Sequence, residues 1–136
     1  ETAAGGAVPD GPGSGYPATL LVGVPQDAAL VQEETFGPVA TITPFDTERE
    51  AVALANGTAY GLGGSVWSRS IDRAVRVAEA LHVGTVWVNG HGGTVAEMPF
   101  GGVRQSGFGK DLGIAAMEQY TDVKHVAIAI ERDADG

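Results

Sequence analysis

The chain has 136 residues, 43% of them hydrophobic, with 21 glycines and 7 prolines, which suits one globular domain with a core and many tight turns. Eight basic against 17 acidic residues give a net charge of -9, and the first basic side chain is Arg49, so a surface that neutralises nucleic-acid phosphates is excluded. Cysteine is absent, which removes disulfides, thiolate metal sites and any thiol nucleophile from these residues.

In chain order, residues 1–17 read as a surface loop, because Gly5 to Pro17 is rich in Gly, Pro, Ser and Asp without periodicity. The run "ATLLVGV" (Ala18 to Val24) has strand length, and "PVATITPF" (Pro38 to Phe45) alternates β-branched residues as a second strand. Thr47 and Glu50 have capping-box spacing ahead of the apolar stripe Ala51, Val52, Leu54 and Ala55, and Asn56-Gly57 supplies a stop, so a helix of about ten residues is expected there. "GGSVW" (Gly63 to Trp67) is a third strand. Ser70 caps a second helix whose Ile71, Ala74, Val75, Ala78 and Leu81 share one face, and "TVWV" (Thr85 to Val88) is a fourth strand. Strand and helix alternate as in right-handed crossovers, so the strands near residues 39, 65 and 86 are expected to be parallel neighbours in an α/β fold. A glycine-studded loop, a short helix from about Asp111 to Gln119 and a terminal strand "VKHVAIAI" (Val123 to Ile130) complete the reading.

No apolar run approaches the ~20 residues that span a bilayer, and the first residues lack the regions of a signal peptide, so the expected location is the cytoplasm. A start at Glu1 rather than Met reads as a piece of something longer.

Tests for local chemistry mostly fail. A Walker loop ending at Gly109-Lys110 would need glycine at Arg104 and Ser or Thr at Asp111, and Gly107, Gly109 and Gly113 miss the dinucleotide spacing by one. A tight loop lying close to another backbone is the better account of these glycines. His82, His91 and His125 share no metal-ligand spacing, and Ser106 lies in no nucleophile elbow. "EETFGPV" (Glu33 to Val39) stands out, since two carboxylates run into an aromatic ring and a Gly-Pro turn.

Taken in order, "EETFGPV", "ANGTAYGLGGSVWS", "GTVWVN", "PFGGVRQSGFGKDLG" and "EQYTDVKHV" resemble the carboxyl-terminal part of NAD(P)-dependent aldehyde dehydrogenases, from about Gly5 to Val126. The resemblance implies a partial three-layer parallel sheet, the C-terminal half of a catalytic domain over residues 18–120, followed by an oligomerisation strand and tail over 121–136. It implies that Glu34 hydrogen-bonds the nicotinamide ribose hydroxyls of NAD or NADP, a task that suits two carboxylate oxygens facing two vicinal hydroxyls, and that Phe36 packs near the nicotinamide. It places Asn89 and the residues after it, His91 among them, along the substrate funnel, with Phe100 near its mouth. The nucleophilic cysteine, the glutamate base, the oxyanion-stabilising asparagine and most of the cofactor pocket belong to family segments upstream of Glu1. The chain alone is therefore expected to be inactive. "WVNGH", "EMPFGG" and "YTDVKHV" look most similar to aminobutyraldehyde and betaine-aldehyde dehydrogenases, with Glu97 compatible with a small cationic aldehyde. Expected partners are a small aldehyde and a second subunit bound through the terminal strand, with neither nucleic acid nor membrane. The alternative is a stand-alone remnant serving as an interaction or dimerisation module.

Overall fold

The computed structural model describes residues 1–129. Its elements are β1 (Thr2–Ala4), β2 (Thr19–Val22), α1 (Ala29–Gln32), β3 (Val39–Ile42), α2 (Glu48–Asn56), β4 (Gly63–Val66), α3 (Ile71–Ala80), β5 (Thr85–Val88), a 3₁₀ turn at Arg104–Ser106 and α4 (Gly113–Gln119). The architecture is mixed α/β with two pieces of sheet: β1 runs antiparallel to β2, β2 parallel to β3, and β4 parallel to β5.

Both longer helices start where their side chains dictate. Thr47 Oγ1 accepts from the Glu50 N–H at 3.2 Å while Glu50 Oε2 accepts from the Asp46 N–H at 2.8 Å, and Gly57 closes α2. Ser70 Oγ accepts from the Arg73 N–H and opens α3, whose Ala74 is the one fully buried apolar residue described. The helices are tied together by a two-pronged pair, Arg76 Nε and Nη2 donating to the two Glu48 oxygens at 2.8 Å each. The hydrogen bond from Arg76 holds the Glu48 carboxyl below the usual carboxylate range.

Four expectations need correction. The strands near 39 and 65 are not neighbours: β3 pairs with β2, and β4 with β5. Residues 1–17 are not loop throughout, since Thr2–Ala4 adds an antiparallel strand to β2 through Thr2↔Leu21 and Ala4↔Leu20. The last helix starts at Gly113 rather than Asp111, because Asp111 is held in an extended bridge to Phe100 and Leu112 takes a φ of 64°. No strand forms over Val123–Ala129, and Ile130 lies outside the described residues. A strand exists only by pairing, and Val123–Ala129 pairs with no strand of the described residues.

The expectation of close backbone approach holds for part of the glycine loop: Gly101, Gly102 and Gly113 lie against other backbone, whereas Gly107 meets nothing within 4 Å and Gly109 faces the Gln119 side chain. Gly84 donates to the Gly61 carbonyl at 3.0 Å, Val103 donates to the same carbonyl at 3.0 Å, and a side chain at Gly84 would overlap the Gly101 carbonyl oxygen. Three backbones cross there at a distance that only glycine permits. Lys110 Nζ fastens the crossing by donating to the carbonyls of Gly101 and Gly102 at 2.7 Å each.

Surface area shows what is missing. The chain exposes 10720 Å² for 13.8 kDa, against about 6,600 Å² for a compact monomer of that mass. Trp67 is 69% exposed, Phe45 58% and Ile71 64%. Side chains that belong to a core face outward, so these residues form part of a core rather than the whole of one.

Candidate functional site

The segment that carries Glu34 is shaped by consecutive backbone turns. Helix α1 ends as the Glu33 N–H donates to Ala29 O at 2.7 Å, and the chain leaves in an extended conformation. Gly37 N–H then donates to Thr35 O at 2.8 Å and Val39 N–H to Gly37 O at 2.8 Å, two three-residue turns with Phe36 and Pro38 as their central residues. Phe36 stands at the apex, 94% exposed. Glu34 is exposed and forms one wall of an open cleft of about 310 Å³ completed by Thr58, Tyr60, Gly61, Leu62, Val83 and Ser106, among others. This cleft lies at the N-terminal ends of β4 and β5, since Leu62 and Val83 immediately precede those strands.

Arg104 and Ser106 hold the far wall in place. Arg104 Nη1 donates to Asn56 O at 3.0 Å and Thr58 O at 2.8 Å, Arg104 Nη2 meets His82 Nδ1 at 2.8 Å, and Ser106 Oγ accepts from the Gly61 N–H at 3.0 Å. The guanidinium thus occupies carbonyls that the end of α2 leaves over. Arg104→Met is expected to cost about 1 kcal/mol, a small sum because water reaches those carbonyls. Denaturant unfolding measures it, and Arg104→Lys recovers part of the loss.

Asn89, His91 and Phe100 lie elsewhere. Asn89 follows β5 with a φ of 53°, a conformation asparagine tolerates, and clips the β4–α3 connection by accepting from Ser68 N–H at 2.9 Å and donating to Ser68 O at 3.0 Å. His91 Nδ1 sits 2.6 Å from Ser65 Oγ, its ring centroid 5.0 Å from that of Trp87, and Trp87 Nε1 donates to Gly93 O at 2.6 Å. Ser65 and Trp87 are register partners on β4 and β5, so the sheet itself sets the footing of this loop. Phe100 is half-buried and exchanges two backbone hydrogen bonds of 2.8 Å with Asp111. The structure therefore groups Asn89 with His91 at the C-terminal end of β5, Glu34 with Phe36 at the opposite end, and Phe100 by α4.

Ser65, Ser68 and Trp87 escaped sequence reasoning. Their partners lie 26, 21 and 6 residues away in the chain, and no local motif announces the first two. The Ser65 and His91 pair has the first contact of a nucleophile-base couple, but among the described residues no carboxylate hydrogen-bonds the other ring nitrogen. Among the described residues no group of three or more His, Cys, Asp or Glu could hold a metal, and no helix is long and apolar enough to cross a membrane.

The model of the aldehyde dehydrogenase family matches residues 1–126. The betaine aldehyde dehydrogenase of Bacillus subtilis is 47% identical over 126 residues, covering 90% of this chain and 26% of that protein. The NADP(+) succinate-semialdehyde dehydrogenase of Deinococcus radiodurans is 48% identical over 123 residues, with 90% and 26% covered. Crystal structures of Staphylococcus aureus betaine aldehyde dehydrogenase superpose with a TM-score of 0.86 for an apo variant and 0.82 for the complex with NAD+, both at 42% identity. These cover 93% and 88% of this chain and 26% and 25% of the S. aureus chain. The chain thus spans about a quarter of the length of the relatives it matches. Sequence, backbone shape and the order of the motifs agree that this chain belongs to the aldehyde dehydrogenase family.

Proposed function

We infer that the chain supplies part of the active site of an enzyme that oxidises a small aldehyde to a carboxylic acid with NAD or NADP. The observation that carries this reading is Glu34 on the wall of a cleft, two residues before the exposed Phe36 at the apex of a turn, within a match to the family over residues 1–126. Bound nicotinamide cofactor supplies the hydride acceptor. The residues present fit it: the Glu34 carboxylate can accept hydrogen bonds from two vicinal ribose hydroxyls, and Phe36 offers an aromatic face nearby. Asn89 fixes the loop after β5, and His91, oriented by Ser65 and Trp87, lines the route by which the aldehyde arrives.

Cofactor and aldehyde then approach from opposite ends of β4 and β5, four-residue strands about 13 Å long. Between them must stand a nucleophile. With no cysteine in 136 residues, the thiolate comes from polypeptide other than this chain.

The names of the relatives support an aldehyde as substrate and leave its charge open. The two relatives described above are named for betaine aldehyde and succinate semialdehyde, one a cation and the other an anion. A small cationic aldehyde is the reading we favour, on the exposed Glu97 and the net charge of -9. The segment Val123–Ala129 is assigned to subunit contact, since Val123, Val126 and Ile128 are exposed and the segment forms no strand pairing within the described residues.

The test is a chimera in which this chain replaces the matching quarter of the B. subtilis enzyme. It is expected to reduce NAD with betaine aldehyde faster than with succinate semialdehyde and to sediment as an oligomer. A folded chimera that leaves the cofactor oxidised with both aldehydes contradicts the assignment.

A further inference from the structure

The loop that follows β5 is anchored through one imidazole. His91 Nδ1 lies 2.6 Å from Ser65 Oγ, and its ring centroid is 5.0 Å from that of Trp87 at an interplanar angle of 58°. Ser65 and Trp87 are register partners on paired strands, so their side chains leave the same face of the sheet and hold the ring from two sides. Trp87 is fixed in turn by donating its Nε1–H to Gly93 O at 2.6 Å, and Asn89 clips the start of the loop to Ser68. His91 is exposed, and among the described residues its Nε2 has no hydrogen-bond partner. A ring held at one nitrogen and open at the other presents the second to whatever enters beside it.

Few charges surround this ring, which makes its own charge decisive. Strands β4 and β5 carry no charged side chain, and the loop from Asn89 to Pro99 has Glu97 alone besides His91. The β4–α3 connection brings Arg69. Asp46, Glu48 and Arg73 border the opening that Ser65 lines, where Glu48 is paired with both Arg73 and Arg76. Among the described residues none of these groups hydrogen-bonds or ion-pairs with His91. Histidine is the side chain whose charge ordinarily changes between about pH 5 and pH 8. Neutral, the imidazole and the Trp87 indole form an aromatic corner that suits a quaternary ammonium. Protonated, the ring repels such a cation and attracts a carboxylate.

We propose that His91, held in place by Ser65, selects the charge of the aldehyde according to pH: the neutral ring admits a cationic aldehyde, and the imidazolium favours an anionic one. The proposal rests on the function assigned above. Ser65 is the positioning residue, and a hydroxyl suits that role for a stated reason. It donates to Nδ1 of the neutral ring and accepts from the Nδ1–H of the imidazolium, so the contact survives in both charge states. A carboxylate at the same place would hold the ring protonated, and a backbone carbonyl would require a proton on Nδ1 throughout. With Ser65 the charge of the ring changes while its place does not.

The experiment uses the chimera and reads the ratio of kcat/KM for betaine aldehyde to kcat/KM for succinate semialdehyde at about pH 5.5 and about pH 8, a span over which a quaternary ammonium and a carboxylate keep their charges. The chemistry common to both aldehydes cancels in this ratio. Raising the pH is expected to raise the ratio at least about tenfold, and by less than about twofold in His91→Gln, whose side chain does not titrate. Ser65→Ala is expected to lose most of the rise and Ser65→Thr, which keeps the hydroxyl, to recover it, whereas a merely structural Ser65 would lower both rates together and leave the rise intact. Independently, proton cross-relaxation between the His91 and Trp87 rings in the 136-residue chain is expected at both pH values and to be lost in Ser65→Ala. An active chimera whose ratio stays flat, or rises as steeply in His91→Gln, overturns the selector and leaves the functional assignment standing. An equal rise in Ser65→Ala, or equal cross-relaxation in that variant, overturns the positioning by Ser65. A folded chimera inactive with both aldehydes removes the functional assignment and the selector with it.

Discussion

Glu34→Gln in the chimera is expected to lower turnover with NAD by roughly 10- to 100-fold while the thermal midpoint stays in place. The amide keeps the shape of the carboxylate but loses its charge and one acceptor. Hydrogen bonds to a charged group contribute about 1.5–3 kcal/mol, and each 1.4 kcal/mol of lost transition-state stabilisation is about tenfold in rate. Stability is unaffected because Glu34 is exposed and touches an open cleft rather than a packed one. Glu33→Gln serves as the control. Glu33 ends α1 through its backbone, by the N–H bond to Ala29 O, and its side chain is exposed. Steady-state rates with saturating cofactor decide the matter: impairment in Glu33→Gln with Glu34→Gln unchanged would reverse the assignment of the two carboxylates.

Gly84→Ala is expected to have the largest effect on folding. The added methyl would sit on the Gly101 carbonyl oxygen and 2.8 Å from its carbon, both backbone atoms that cannot rotate aside. The neighbouring strands cannot yield easily either, because Gly84 N–H and Val103 N–H both bind the Gly61 carbonyl. Relief requires β5 to separate from the loop at Gly101, and overpacking of this kind costs about 3 kcal/mol or more. Gly15→Ala has open space around it and no positive φ, and is expected to be silent. Thermal unfolding of the chimera with each substitution measures the difference, and a midpoint for Gly84→Ala equal to that of Gly15→Ala would show that the crossing of backbones is looser than described.

The parts of this fold legible in the sequence are those decided by neighbours along the chain. Helices α2 and α3 announce themselves through Thr47, Glu50 and Ser70, side chains that bond within three or four residues. Strand β5 begins and ends where "TVWV" does. Sheet order was not legible in the same way, because the run from β3 to β4 reads alike whether or not the two strands touch. Over Val123–Ala129 the expected strand is absent because its alternating apolar residues give strand chemistry, whereas a strand forms only by pairing with another edge. Thr2–Ala4 and Ala29–Gln32 are too short to show a period. In the candidate site, "EETFGPV" pointed to Glu34 and Phe36 through its resemblance to a family, whereas the footing of His91 on Ser65 and Trp87 follows from strand register, which spacing along the chain does not reveal.

We propose that this chain presents a carboxylate to the cofactor and a loop to the substrate without the nucleophile that links them. The most direct measurement is absorbance of reduced cofactor when the purified 136-residue chain is mixed with NAD and betaine aldehyde. An alcohol such as Ser106, whose Oγ accepts from the Gly61 N–H at 3.0 Å in a loop with no adjoining base, cannot replace a thiolate. Glu34 and Phe36 would reach only the nicotinamide end of the dinucleotide, so tight cofactor binding is not expected of the chain alone. No rise in absorbance is expected from the isolated chain, and a sustained rise is expected from the chimera under the same conditions. A rise from the isolated chain that persists after repurification and disappears in Glu34→Gln would contradict it, since the chemistry would then reside in these residues alone.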